Sequence, residues 1–236
     1  MKLGINQIYF FPYIGYFQLM NIADEFIVYD NIEYSKGWIN RNRILANDKA
    51  EYITVPLKKG SDYLDIVDRW LADSWNVDRV KMLNKVKASY RKAPQFDVVY
   101  SLFEKCVCYD DANLFNFLSN SLNQIKEYLG ISTPLITSST IPIDHSLKSE
   151  NKVIALCKTR GADTYINPIG ALALGLYDKN NFDNVGLELY FIKTDKFKYQ
   201  QYDNDFVPFL SILDVMMFNT IEEIKEFLKL YTLVQS

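Results

Sequence analysis

Residues 2–30 read KLGINQIYFFPYIGYFQLMNIADEFIVYD, and this stretch decides the fold. The run at 3–9 reads as a strand. Phe11-Pro12-Tyr13-Ile14-Gly15-Tyr16 reads as a turn, and 17–23 as a short helix. Residues 25–30 bring a second strand with Phe26, Ile27, Val28 and Tyr29 apolar on both faces, the pattern of a strand buried between two layers. Strand, turn, helix, strand is a βαβ unit and predicts a parallel sheet.

The rest of the chain fits around that unit. A further strand is expected at 51–56. Leu114, Phe117, Leu118, Leu122, Ile125 and Leu129 recur at helical spacing over 112–129, with Gly130 at the stop. A second such helix at 149–160 carries Val153, Ile154, Leu156 and Cys157 and ends at Gly161. Residues 163–166 and 185–192 read as strands. Thr220-Ile221-Glu222-Glu223 is a capping-box pattern opening a last helix with Ile221, Ile224, Leu228 and Tyr231. There is no internal repeat and no Pro/Gly/Ser-rich linker. The expectation is one α/β domain over 1–236: a mostly parallel, Rossmann-like sheet with a helical insertion or cap at about 75–130.

Composition narrows the function. The 236 residues are 49% hydrophobic and 23% charged, ordinary for a globular chain with its own core. The net charge of −3 argues against bulk nucleic-acid binding driven by phosphate neutralisation. No apolar run approaches the roughly 20 residues of a membrane span, and Met1 leads straight into a strand-like segment without a leader pattern. Cys106, Cys108 and Cys157 form an unpatterned, odd set that fits a reduced cytoplasmic setting; all three read as core positions. With a single histidine, His145, zinc sites built on His pairs are excluded and no metal is expected. Seventeen tyrosines exceed what a core requires and point to a pocket for a ring-shaped ligand.

Four segments do not read as simple core. The stretch 34–43 holds Trp38, Asn40, Arg41, Asn42 and Arg43: guanidinium forks for phosphate or carboxylate, amides for hydroxyls, an indole for stacking. It reads equally as a surface hairpin anchored by Trp38. The turn after the first strand offers Gln7, Tyr13, Gly15 and Tyr16 where α/β sheets bind ligands, or Gly15 only shapes the turn. Tyr165, Asn167 and, further on, Tyr177 leave another strand toward the same crevice, or mark a plain Asn-Pro turn. Asp214 is the lone charge in an apolar run, so it is buried, with Arg41 or Arg43 as its natural partner. His145, beside Asp144, is a general base or a cap.

Together these segments resemble the WbqC-like family of bacterial proteins. The resemblance runs through Gln7, Gly15-Tyr16-Phe17, Asp30, Trp38-Ile39-Asn40-Arg41-Asn42-Arg43, Val55-Pro56, Ala93-Pro94, Tyr128-Leu129-Gly130-Ile131, Tyr165-Ile166-Asn167, Tyr177 and Leu210-Ser211-Ile212-Leu213-Asp214. The chain departs from the family pattern at Gln7-Ile8, where Gln-Pro is usual, and at Gly170-Ala171, where a glycine pair is usual. The opening also looks like nucleotidyl-transferase-type folds, but Tyr13 and Tyr16 stand where those carry two histidines.

The resemblance implies a place in surface-polysaccharide (O-antigen, lipopolysaccharide) biosynthesis and an enzyme acting on a nucleotide-linked amino sugar. The activity expected from it is N-acylation of the sugar amine with an amino acid, with ATP or aminoacyl-tRNA as the donor route. Within that reading Asp214, Asp30, Asn40 or His145 handles protons or the oxyanion. Gln7, Tyr13, Gly15, Tyr16, Trp38, Arg41, Asn42, Arg43, Tyr165, Asn167 and Tyr177 hold the substrate. A glycosyltransferase, for which Asp203-Asn204-Asp205 is a loose metal-binding pattern, and a non-catalytic scaffold of the pathway are the alternatives.

Overall fold

The computed structural model describes residues 1–61, 63–203 and 205–235. Asn204, the middle of the Asp203–Asp205 pattern, lies outside the described residues. The opening is the expected βαβ unit: β1 (Lys2–Gln7), α1 (Ile14–Ile22) and β2 (Glu25–Tyr29). β1 and β2 pair in parallel, Leu3 opposite Glu25 and Gln7 opposite Tyr29. A short β5 (Leu135–Thr137) adds outside β2, also in parallel. On the other side of β1 lie β6 (Thr164–Pro168) and β7 (Glu188–Thr194), both parallel, then β8 (Tyr231–Gln235), antiparallel at the edge. The sheet order is therefore β5-β2-β1-β6-β7-β8, a mixed α/β fold with a mostly parallel centre.

β8 is a correction to the sequence reading. The last helix, α9 (Ile221–Phe227), opens with the expected capping box on Thr220 and Glu223 but stops before Tyr231. Tyr231, Thr232 and Val234 are aromatic or β-branched. They complete the β7 ladder, Phe191 opposite Val234, which a further helical turn would leave unpaired.

The 34–54 region forms a two-stranded antiparallel ribbon, β3 (Arg41–Ala46) and β4 (Lys49–Thr54). Its two-residue turn is Asn47-Asp48, with φ of 51° and 59°, the left-handed conformation that such turns need and that Asn and Asp tolerate. The helix-rich stretch is α2 (Trp75–Tyr90), α3 (Phe96–Val107) and α4 (Leu114–Leu129). α4 ends at Gly130, whose φ of 69° ends the helix in a left-handed cap. Cys106 and Cys157 are core; Cys108, at the end of α3, is exposed rather than buried.

Alternation along the strands divides the core in two. Phe26, Val28, Ile166 and Ile192 face a large apolar layer built with α1, α2–α4 and α8 (Ile212–Phe218). Leu3, Ile5, Ile27, Tyr165, Leu189 and Phe191 face the other way, against Val153, Leu156 and Cys157 of α5 (Ser149–Arg160). Short helices α6 (Gly170–Ala173) and α7 (Lys179–Asp183) contribute Ala171 and Phe182 to that second layer. Among the described residues no helix is long and apolar enough to cross a membrane.

Candidate active site at the strand ends

β1 is the strand at which the sheet order reverses. The chain leaving β1 turns to the α1 layer, and the chain leaving β6 turns to the α6–α7 layer. Such a divergence opens a crevice outside the carboxyl ends of the strands. The alternation that sends Leu3 and Ile5 into the α5 layer places Gln7 above them at the rim; likewise Tyr29 stands above Ile27 and Asn167 above Tyr165. The apolar floor thus gives way to amides and phenols where the strands end.

Asn167 is buried, and its Nδ2 donates to the hydroxyls of Tyr165 and Tyr177, the latter at 3.3 Å. The two hydroxyls are 3.3 Å apart. Burial raises the pKa of Tyr29, Tyr165 and Tyr177, so all three phenols remain neutral hydrogen-bonding groups. Tyr9 Oη donates to Gln7 Oε1 at 3.4 Å at the end of β1.

Lys152 is the unexpected member. It sits in the first turn of α5, only 6% exposed, with Nζ 5.6 Å from the centre of the Tyr29 ring. Nζ donates to the Asn31 carbonyl oxygen at 3.0 Å and to Asn31 Oδ1 at 3.4 Å. Burial lowers its pKa below the ordinary lysine value, and Asp65 and Asp30 pull it partly back. Asp65 is raised in turn, by its own burial and then by Asp68.

Asn31 continues the chain of contacts to His145. Its Nδ2 donates to His145 Nδ1 at 2.8 Å, and Nε2 of the ring stands 3.0 Å from the Ile141 carbonyl oxygen. Both bonds are made by the neutral ring protonated on Nε2. Asp30 is buried and accepts from the Ser139 backbone N–H at 2.9 Å. The carboxyl ends of the strands therefore gather Gln7, Asp30, His145, Tyr165, Asn167 and Tyr177 from the sequence-derived set. They add Tyr29, Asn31 and Lys152, which that set lacked. A signal for Lys152 exists: it precedes Val153 and lies four residues before Leu156, so it falls on the apolar face of α5.

The remaining residues go elsewhere. Asn40 accepts from Tyr34 Oη at 2.7 Å and donates to the Val55 carbonyl at 2.8 Å. Asn42 is buried and ties the ribbon to the loop leaving β1 through the carbonyls of Phe10, at 3.2 Å, and Phe11, at 2.9 Å. Trp38, Arg41 and Arg43 line the outer face of the ribbon. Tyr13 packs on Phe209, and Tyr16 is buried against Tyr9 and Phe26. Gly15 makes a close approach within the fold: a Cβ there would lie 2.7 Å from Thr194 Oγ1.

Asp214 is buried as expected, but neither Arg41 nor Arg43 is its partner. Its carboxylate accepts from Tyr90 Oη at 2.7 Å, Tyr199 Oη at 2.6 Å and Gln201 Nε2 at 2.6 Å. The arginines lie on the outer, solvent side of the ribbon, and neutral donors take their place. Burial raises the Asp214 pKa, and those three hydrogen bonds oppose the rise.

The sequence profile of the WbqC-like protein family matches residues 7–226. An uncharacterized protein of Mycobacterium tuberculosis, Rv1507c, is 29% identical over 231 residues, covering 97% of each chain. No solved structure matches. With the profile spanning both the ribbon and the crevice, the chain belongs to the WbqC-like protein family.

Proposed function

We propose that this protein is an enzyme of surface-glycan biosynthesis, active in the cytoplasm, that N-acylates the amine of a nucleotide-linked amino sugar with an amino acid. The observation that carries the reading is Lys152: a buried lysine of lowered pKa at the strand ends, held by Asn31 and the Tyr29 ring, with Asp65 and Asp30 only partly offsetting its burial. Amides and phenols suit a polyhydroxylated ligand, since each both donates and accepts.

In this reading the sugar amine attacks the carbonyl carbon of an activated amino acid. A C–N bond forms, the bond from that carbon to the leaving oxygen breaks, and the amine proton passes to neutral Lys152 Nζ. Asn31 and His145 hold Lys152 in place. Gln7, Asn167 and Tyr177 hold sugar hydroxyls, and backbone N–H groups leaving the strand ends serve the developing oxyanion. The donor is an aminoacyl-tRNA or an amino acid activated with ATP.

The test is mass spectrometry of reactions containing the protein, nucleotide-linked amino sugars, amino acids and ATP, with and without charged tRNA. A product heavier by one aminoacyl group supports the proposal, and the component whose omission abolishes it identifies the donor. A protein that yields no such product with any donor, or one that instead transfers the sugar, overturns it.

A further inference from the structure

The outer face of the β3–β4 ribbon carries a row of planes. Arg41 Cζ lies 4.8 Å from the centre of the Tyr52 ring, Tyr52 and Trp38 are 6.1 Å apart, and Arg43 Cζ lies 5.1 Å from the Trp38 ring. The row continues past Arg43, whose Nη2 donates to the Phe209 carbonyl at 2.8 Å, to the Phe209 ring beside Tyr13. Strand alternation explains the sidedness: Asn42 turns inward, so Arg41 and Arg43 turn outward together.

Three features of this row are not accounted for by folding. Trp38, Tyr52 and Phe209 are 42%, 47% and 64% exposed, so three large rings are left in water along one face. Phe209 holds a φ of 58°, a left-handed backbone that a bulky residue seldom takes, yet its ring gains little burial from it. Arg43 Nε is shielded from water and has no acceptor among the described residues, and a shielded donor calls for one. Carbonyl oxygens and ring faces hold both guanidiniums, and none of these neutralises their charge.

We propose that this face binds a nucleoside diphosphate, with the base stacked on the Trp38–Tyr52 rings and the diphosphate on the forks of Arg41 and Arg43. A planar ring carrying adjacent anions is the ligand that alternating rings and guanidiniums recognise: the rings take the base, and the forks take phosphate oxygens two at a time. Asn42 anchors the ribbon to the loop that leaves β1, so this face stands on the same loop that borders the crevice. The inference shares with the proposed function only the nucleotide part of the substrate, and its test involves no acyl transfer.

The test is calorimetric titration of the full chain with UDP and ADP, and with uridine and inorganic pyrophosphate as half-ligands. Binding of a nucleoside diphosphate is expected, with each half-ligand weaker. Trp38→Ala and Arg43→Lys each weaken it about tenfold, the loss of one base–aromatic stack or one bidentate fork. Lys229→Met, an exposed position of the α9–β8 turn, binds as the wild type does, and the thermal midpoints of the two ribbon variants stay near that of the wild type. Absence of UDP and ADP binding overturns the proposal, as does binding untouched by both ribbon substitutions. Binding lost equally in Lys229→Met, or inorganic pyrophosphate binding as tightly as UDP and ADP, also overturns it. Nucleotide binding without acyl transfer leaves this site standing while the proposed reaction falls.

Discussion

The Lys152 ammonium lies 5.6 Å from the centre of the Tyr29 ring, under the carboxyl end of β2, and donates to the Asn31 carbonyl at 3.0 Å. A ring face and a carbonyl oxygen favour the charged form, while burial opposes it. Burial wins, and the folded pKa lies below 10.5. Between the folded and unfolded values the folded chain holds fewer protons, so this group makes the protein more stable as pH rises through that window. Catalysis that needs neutral Lys152 rises over the same window. The pH–rate profile of the wild type is therefore expected to rise with an inflection below 10.5, and Lys152→Arg, which stays charged, to lose the rise along with most activity.

Asp214 has the opposite linkage. Its folded pKa is raised above 3.8 by burial, so between the unfolded and folded values the folded chain holds the extra proton. Its contribution is complete below the unfolded value and is lost as pH rises toward the folded one. Asp214→Asn removes that titration. Urea midpoints measured from acid pH upward are expected to show the wild type losing stability relative to Asp214→Asn as pH rises through and above 3.8. Parallel profiles would contradict the burial argument.

Gly15 brings α1 against β7. A methyl at this position meets Thr194 Oγ1 at 2.7 Å, and that hydroxyl donates to Gln18 Oε1 at 2.7 Å. Gln18 in turn holds the carbonyls of Phe227 and Leu230. Gly15→Ala is expected to destabilise the fold by about 1–3 kcal/mol, as overpacking does. Thr194→Ala should restore part of that loss in the double variant, which chemical denaturation of all three variants would show.

Asn42 holds two backbone carbonyls of the loop that borders the crevice. Asn42→Ala leaves both without this donor and is expected to cost about 1–3 kcal/mol in stability. Amide exchange at Phe10 and Phe11 should accelerate if the loop depends on this anchor.

Much of this architecture is legible in local pattern. The opening βαβ unit, the amphipathic α4 and the capping box on Thr220 each carry their signal within a few residues. Gln7 and Asn167 are legible as polar groups near strand ends, because each breaks the apolar run of its strand. β8 and the partners of Asp214 are not legible in this way, since both depend on segments far apart in sequence. Tyr90 reaches Asp214 across 124 positions, and no local pattern encodes that pairing. Lys152 escapes notice for a related reason: only the return of α5 over Tyr29 turns an ordinary helix lysine into a buried one.

The most direct measurement of the central claim compares the wild type with Lys152→Met in the aminoacylation of a nucleotide-linked amino sugar, read by mass spectrometry, with both proteins shown to be folded by circular dichroism. The account predicts an aminoacyl adduct on the sugar amine from the wild type and a loss of turnover of at least about a hundredfold in the variant, the lower end of what one proton-transfer group contributes. A variant as active as the wild type, or a wild type that forms no adduct with any donor, would contradict it.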